Sequence, residues 1–217
     1  MISVKKRHIP FFSVIVTSYN RGHIIDRAIT SLIGQSEKDW ECIIVDDGSI
    51  DDTNAKAIEY VTKDDRFKYV VHSHRGQALT KNAGILAASG LFVTFLDSDD
   101  EYAEDHLSMR KAMLEEYPHI DILHGGVSII GDHFVPDIQD PKRLIHLSEC
   151  IIGGTFVVKS SVFHSLGGFP DVSYGDDTGF YEKALESGMN IAKTDHPSYI
   201  YHRDMSDSLC NSMRKRT

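Results

Sequence analysis

Phe92-Val93-Thr94-Phe95-Leu96-Asp97-Ser98-Asp99-Asp100 carries five apolar or β-branched residues straight into three carboxylates. The apolar part, which follows Gly90, reads as a short buried strand. Its acids then fall at the strand's carboxyl end, where open α/β sheets bind ligands. Three acids within four residues repel one another unless a positive charge sits among them. A divalent cation that prefers oxygen ligands meets that need. Such a cation usually shares its coordination with substrate phosphates. Taken alone, the stretch fits either a metal-bridged phosphate site or an acidic surface turn.

Upstream of it, strand and helix alternate. Phe12 to Ser18 is apolar through its middle, as in a strand buried on both faces. Tyr19-Asn20-Arg21-Gly22 turns the chain into a helix with Ile25, Ala28, Ile29 and Leu32 on one stripe. Trp40 to Val45 is the second strand and ends in Asp46-Asp47-Gly48-Ser49. Asp51-Asp52-Thr53 caps a helix carrying Ala57, Ile58 and Val61. Phe67 to His72 is the third strand. A helix from Gln77 to Ala88 is expected to turn Leu79, Ala83, Leu86 and Ala87 inward, and Ser89-Gly90 stops it. This alternation implies a parallel sheet with right-handed crossovers. Polar residues recur at the strand ends: Thr17, Tyr19 and Asn20, then Asp46 and Asp47, then Asp97 and Asp99. A parallel sheet lines those ends along one edge, and their convergence is the strongest physical argument for a site.

Downstream the pattern loosens. His106 to Tyr117 has Leu107, Arg110, Leu114 and Tyr117 at helical spacing, and Pro118 ends it. Ile120 to Ile130 reads as a strand or hairpin broken at Gly125-Gly126. Residues 131–148, with Pro136 and Pro141 amid charges, read as a loop. Ile151 to Val158 is extended and interrupted at Gly153-Gly154; Ser160 to Leu166 is a short helix stopped by Gly167-Gly168. Asp177 to Ser187 reads as a helix with Phe180, Tyr181, Ala184 and Leu185 inward, and Tyr199 to His202 as a last extended segment. No repeat or linker divides the chain. The expectation is a single domain over 1–217, with functional halves at 1–100 and 101–217.

The 217 residues are 41% hydrophobic, enough for a sizeable core. A net charge of −9 argues against nucleic-acid binding, which needs a basic face. Three widely spaced cysteines, Cys42, Cys150 and Cys210, suggest neither a disulfide framework nor a zinc site, so a reducing compartment is expected. Lys5-Lys6-Arg7 precede only a short apolar stretch with Pro10, unlike a signal peptide. No apolar run approaches a membrane span. The basic Arg214-Lys215-Arg216 reads as a solvated end.

Four segments together resemble the inverting family 2 glycosyltransferases of the GT-A fold: Ser13-Val-Ile-Val-Thr-Ser-Tyr-Asn20, Ile44-Val-Asp-Asp-Gly-Ser49, Lys81-Asn-Ala-Gly84 and Phe95-Leu-Asp-Ser-Asp-Asp100. Each is modest alone; their order and spacing are specific. Gly167-Gly-Phe169, Asp176-Asp177 and His202 extend the likeness to nearly the whole chain. The resemblance implies a Rossmann-like three-layer α/β/α fold with a mostly parallel central sheet. It implies transfer of a sugar from a nucleotide diphosphate, with a UDP-sugar first among donors, to an acceptor hydroxyl.

By that resemblance Asp99 and His202 are metal ligands for Mg²⁺ or Mn²⁺. The nucleotide side comprises Thr17, Tyr19, Asn20, Asp46, Asp47, Arg75, Lys81, Asp97 and Ser98, with Asp46 reading the base. Asp177 is the general base and Asp176 a companion that binds or orients the acceptor. This chain has Lys81 where the family usually has Arg, and Asp-Asp where it usually has Glu-Asp. The acceptor implied is a glycan or lipid-linked glycan, and the place of work cytoplasmic, with any membrane contact peripheral at the inner face. A nucleotide-sugar-binding subunit without turnover is the rival from another class. His72-x-His74 lacks the acids expected beside a metal site. A dinucleotide-binding Gly-x-Gly-x-x-Gly is missing after the first strand.

Overall fold

The computed structural model describes residues 8–140 and 142–204. Lys5-Lys6-Arg7, Pro141, Cys210 and Arg214-Lys215-Arg216, all considered above, lie outside the described residues. Strands β1 (Phe12–Ser18), β2 (Trp40–Asp46), β3 (Phe67–Val71) and β4 (Phe92–Asp97) pair in parallel in the order β3-β2-β1-β4. β2 is buried along its whole length, as its unbroken apolar run requires. Helices α1 (Ile25–Ile33) and α2 (Thr53–Lys63) cover one face with α4 (His106–Glu116). α3 (Gln77–Ala87), α5 (Ser160–Leu166) and α6 (Asp176–Glu186) cover the other. The result is the three-layer α/β/α arrangement expected, with two apolar cores split by one sheet.

Beyond β4 the sheet continues through β9 (Val157–Lys159), β6 (Ile122–Gly131), β10 (Ile191–Arg203) and β5 (Glu101–Tyr102). β9 runs antiparallel to both β4 and β6, while β10 is parallel to β6. Inserting β9 beside β4 brings the second half of the chain against the acidic strand end.

The structure corrects several expectations. Residues 131–148 are not all loop: β7 (Phe134–Pro136) and β8 (Leu144–His146) form an antiparallel ribbon. β6 is one strand across Gly125-Gly126, whose backbones approach Thr194 and His196 so closely that any Cβ would collide with their carbonyls. β10 is far longer than Tyr199 to His202: residues 191–194 also pair with β6, and an irregularity that includes the polar Asp195 and His196 separates the two paired stretches. Leu86 is 88% exposed, and the buried positions of α3 are Ala78, Thr80, Lys81 and Gly84. Where the helix lies closest on β1 only a small residue fits: a Cβ at Gly84 would come within 2.5 Å of Ile15. Ile58, Tyr117 and Leu185 are likewise exposed rather than inward.

Glu41 stitches the nucleus of the sheet together. It is 6% exposed on β2. Its carboxylate accepts from Ser13 Oγ at 2.6 Å, the Ser89 main-chain N–H at 2.6 Å and Lys68 Nζ at 2.6 Å. Burial pushes its pKa up, but the hydrogen bonds from Lys68, Ser13 and Ser89 outweigh this and hold it below the ordinary carboxylate range. A depressed carboxylate pKa stabilises the fold above the unfolded value, and that contribution is lost as pH falls through the folded one. Glu41→Ala is therefore expected to cost about 2 kcal/mol at neutral pH in urea denaturation, since buried donors lose their acceptor. The gap between wild type and variant should narrow in acid, as the contribution from the depressed pKa is lost.

Candidate active site

The carboxyl end of β4 passes into a tight turn in which the Asp100 N–H donates to the Asp97 carbonyl at 3.0 Å. The turn sorts its acids. Asp100 points inward and is fully buried. Its Oδ2 accepts from the Tyr199 hydroxyl at 2.6 Å and its Oδ1 from the His202 N–H at 2.8 Å. Burial, with the charges of Asp97 and Asp99, raises its pKa well above the usual range. Ser98 is buried. Asp97 and Asp99 are left half-buried at the sheet edge. Asp97 Oδ1 lies 3.5 Å from Thr17 Oγ1 and 3.4 Å from Gln77 Nε2. Burial pushes the Asp97 pKa up to about 6; Lys81 opposes this, and the charges of Asp99, Asp176 and Asp177 add to it.

The ends of β1 and β2 build the neighbouring wall. Asn20, at φ 53°, accepts from the Ile50 N–H at 2.9 Å, and its own N–H donates to Ser49 Oγ at 2.8 Å. Asp46 is buried, accepting from the Ser49 N–H at 2.8 Å and the Tyr69 hydroxyl at 2.6 Å. Asp47 accepts from the main-chain N–H groups of Arg75 and Gly76 at 2.7 and 2.9 Å. His74 Nδ1 is 2.8 Å from Asp47 Oδ2, and its ring stacks on the exposed Tyr19 ring at 4.1 Å. An aromatic face therefore stands open beside two buried carboxylates.

Lys81 joins the two halves. Its Nζ donates to Asp176 Oδ2 at 2.8 Å with both groups buried, and lies 4.9 Å from the centre of the Phe169 ring. The next residue, Asn82, hydrogen bonds both the N–H and the carbonyl of Phe169 at 2.9 Å. The Lys-Asn and Gly-Gly-Phe segments are thus in contact. Burial pulls the Lys81 pKa down, and the charges of Asp176, Asp97 and Asp177 more than reverse it. Asp176 and Asp177 open α6, where N-terminal N–H groups favour anions. Asp177 accepts from the Gly153 N–H at 3.0 Å and the Thr178 N–H at 2.8 Å. Burial raises its pKa; Lys81 opposes, Asp176 adds, and the net position is above the ordinary range.

His202, on β10, gives Nε2 to Glu101 Oε2 at 2.6 Å. Its Nδ1 is buried without a hydrogen bond, 3.6 Å from Asp204 Oδ1. Among the described residues no three His, Cys, Asp or Glu side chains converge as a ready-made metal cage. Oxygen donors with mutually raised charge cost and one orphaned imidazole nitrogen nevertheless fit a hard cation whose shell a phosphate ligand completes. The structure thus draws Thr17, Asp97, Lys81, Asp176 and Asp177 into one linked group. Tyr19, Asn20, Asp46, Asp47 and Arg75 form the adjoining wall.

Sequence reading left out Gln77, Tyr199 and Gly153, and it set His72-x-His74 aside for want of nearby acids, whereas Asp47 lies 3.3 Å from His72 Nδ1 and 2.8 Å from His74 Nδ1. Gln77 and His74 follow β3, whose end lies on the same sheet edge as the other strand-end polar residues. Tyr199 and Gly153 carry no local signal, because their partners lie 102 and 24 residues away.

Comparison with known proteins adds independent findings. The family model described as Glycosyl transferase family 2 matches residues 13–147. A UDP-Glc:alpha-D-GlcNAc-diphosphoundecaprenol beta-1,3-glucosyltransferase of Escherichia coli is 32% identical over 76% of this chain and 66% of its own. A GalNAc(5)-diNAcBac-PP-undecaprenol beta-1,3-glucosyltransferase of Campylobacter jejuni is 44% identical over 51% of this chain and 37% of its own. The chain therefore spans less than two thirds of either relative. Among solved structures, S. aureus TarS 1-349 in complex with UDP-GlcNAc superposes with a TM-score of 0.76 at 22% identity, over 91% of this chain and 60% of that one. A Pyrobaculum calidifontis mannosyltransferase with GDP-Man and Mn2+ gives 0.70 at 22%, over 89% and 57%. These two likenesses establish the fold.

Removing the Lys81 ammonium leaves three carboxylates facing one another. Lys81→Met is expected to destabilise the protein by about 3 kcal/mol at slightly alkaline pH, in line with breaking a buried ion pair. Without the lysine, the folded pKa values of Asp97 and Asp177 rise further above their unfolded ones. The penalty then applies above those values and shrinks as acid protonates the pair. Urea denaturation of the variant across mildly acidic to alkaline pH reads this directly.

Proposed function

The chain belongs to glycosyl transferase family 2, and from there we propose that it is an inverting, metal-dependent glycosyltransferase. The observation that carries this reading is the convergence of Asp97, Asp176 and Asp177 on Lys81 at the sheet edge where Asp99 and the Tyr19 face also lie. UDP-sugar is the proposed donor, supported by the E. coli relative's name and by the UDP-GlcNAc held in the S. aureus structure.

Tyr19, Asn20, Asp46, Asp47 and Arg75 line the nucleoside side, with Thr17, Asp97 and Ser98 toward ribose and diphosphate. Asp99 and His202 would hold Mg²⁺ or Mn²⁺, with Asp97 beside them. When bound, the cation supplies Lewis-acid stabilisation of the charge that develops on the diphosphate. Asp177 accepts the proton of the acceptor hydroxyl as that oxygen bonds to the anomeric carbon and the bond from that carbon to the diphosphate oxygen breaks, releasing the nucleoside diphosphate. Its raised pKa makes it a stronger base than an ordinary carboxylate. Asp176, held by Lys81, fixes the first turn of α6 and so the position of Asp177.

Both curated relatives are named for substrates on undecaprenol diphosphate, which supports a lipid-linked glycan as acceptor. Among the described residues no helix is long and apolar enough to cross a membrane, so contact with such an acceptor is proposed to be peripheral.

Calorimetric titration of UDP with Mn²⁺ and with EDTA tests the site. Binding should need metal and be lost in Asp99→Ala; absence of UDP binding with any metal rejects the UDP donor. Asp177→Asn should keep UDP binding while turnover falls by about 10²–10⁴-fold. Wild-type turnover should decline in acid, beginning above the ordinary carboxylate range, because the base must be ionised. Turnover undiminished in Asp177→Asn rejects its role.

A further inference from the structure

The acidic turn is held from behind by residues that touch no proposed ligand. Arg27, on α1, donates from Nη2 to the main-chain carbonyl of Asp99. Its Nε is buried without a hydrogen bond and lies 4.0 Å from Glu101 Oε2. The same Glu101 oxygen receives His202 Nε2 at 2.6 Å, and the His202 N–H returns to Asp100 Oδ1 at 2.8 Å. The contacts close a ring: Arg27, Asp99, Asp100, His202, Glu101 and back to Arg27. It links α1, the turn after β4, β5 and β10.

We propose that Arg27 and Glu101 are positioning residues that set the acidic turn and His202 for a divalent cation shared with a nucleoside diphosphate. This rests on the donor reading above and deepens it. A guanidinium on the Asp99 carbonyl fixes the peptide plane between Asp99 and Asp100. That plane decides that Asp100 turns inward while Asp99 stays at the sheet edge. Charged groups this close together would otherwise relax apart. Glu101 fixes the imidazole through Nε2 and leaves Nδ1 as its remaining ring nitrogen. A carboxylate that orients a ligating histidine in this way commonly contributes 10–100-fold in metal affinity.

A cavity of about 590 Å³ opens beside α1 and β5, and both Arg27 and Glu101 line it. Asp26 and Glu104 make its wall acidic. A small cation can therefore reach the place of the guanidinium from solvent.

The test is UDP titration into the full chain, with Mn²⁺ and with EDTA, for wild type, Arg27→Ala and Glu101→Gln. Both variants are expected to lose about 10–100-fold in UDP affinity with Mn²⁺, and to match wild type in melting temperature without metal. Millimolar guanidinium chloride should restore Mn²⁺-dependent affinity to Arg27→Ala and leave Glu101→Gln unchanged. Folded variants that bind UDP with Mn²⁺ as tightly as wild type does overturn the proposal. Should Arg27→Ala fail to fold, Arg27→Lys, which keeps the charge but loses the fork, and Glu101→Gln carry the same comparison. A wild type that binds UDP in neither condition, or without need of metal, rejects the metal–diphosphate reading itself and this inference with it.

Discussion

One buried ammonium holds the site together. Lys81 lies against Asp176, with Asp97 and Asp177 in its field. These groups come from α3, the end of β4 and the start of α6, which share no local sequence. Taking a lysine and an aspartate out of water costs several kcal/mol for each ion before their attraction returns anything. A pair in that position does little for net stability. Its value lies in registering the two halves of the chain, because the ammonium finds compensation only where the carboxylates meet it. The Asn82 clamp on the Phe169 backbone fixes the same junction with neutral hydrogen bonds, so charge and shape agree on one docking of the halves.

The excess negative charge that remains has a physical consequence. Lysine offers a point charge where arginine would offer a planar fork, and one ammonium cannot neutralise Asp97, Asp99, Asp176 and Asp177 together. The protein answers in three ways. It turns Asp100 inward onto the Tyr199 hydroxyl and the His202 N–H. It lets the pKa values of Asp97 and Asp177 rise. It places Asp176 and Asp177 at a helix N-terminus, where the dipole favours them. What is left over is a cleft short of positive charge, which suits a divalent cation and disfavours a bare polyphosphate.

The framework behind the cleft is less frustrated. Apolar strands β1, β2 and β4 are sealed between two cores, and Glu41, the main polar intrusion there, has all its acceptor capacity used by Ser13, Lys68 and Ser89. A rigid sheet with satisfied polar groups can carry loops whose charges are in conflict. The turn after β4, the loop after β3 and the 3-10 turn Gly153–Thr155 all take their geometry from it.

The first hundred residues announced their architecture because buried parallel strands are written locally, as short apolar runs between turn residues. Strand ends rich in Asp, Thr and Asn identified the functional edge for the same reason. The phase of α3 was not legible: Leu79 and Leu86 suggested one face, but close packing against Ile15 favoured Ala78, Lys81 and Gly84. β10 and the β7–β8 ribbon were obscured because their pairing, not their apolarity, makes them strands. Nor could residue type alone say that Lys81 is buried, that Asp100 faces away from Asp97, or that Arg27 grips the Asp99 carbonyl. The sequence by itself determined the alternation of strand and helix and the side of the sheet on which the acids gather, since both follow from local polarity and period. Tertiary structure decided which of those acids share a lysine, which one is turned inward and which helix holds their turn, because each depends on contacts between segments about 70 to 100 residues apart that only the folded sheet brings together.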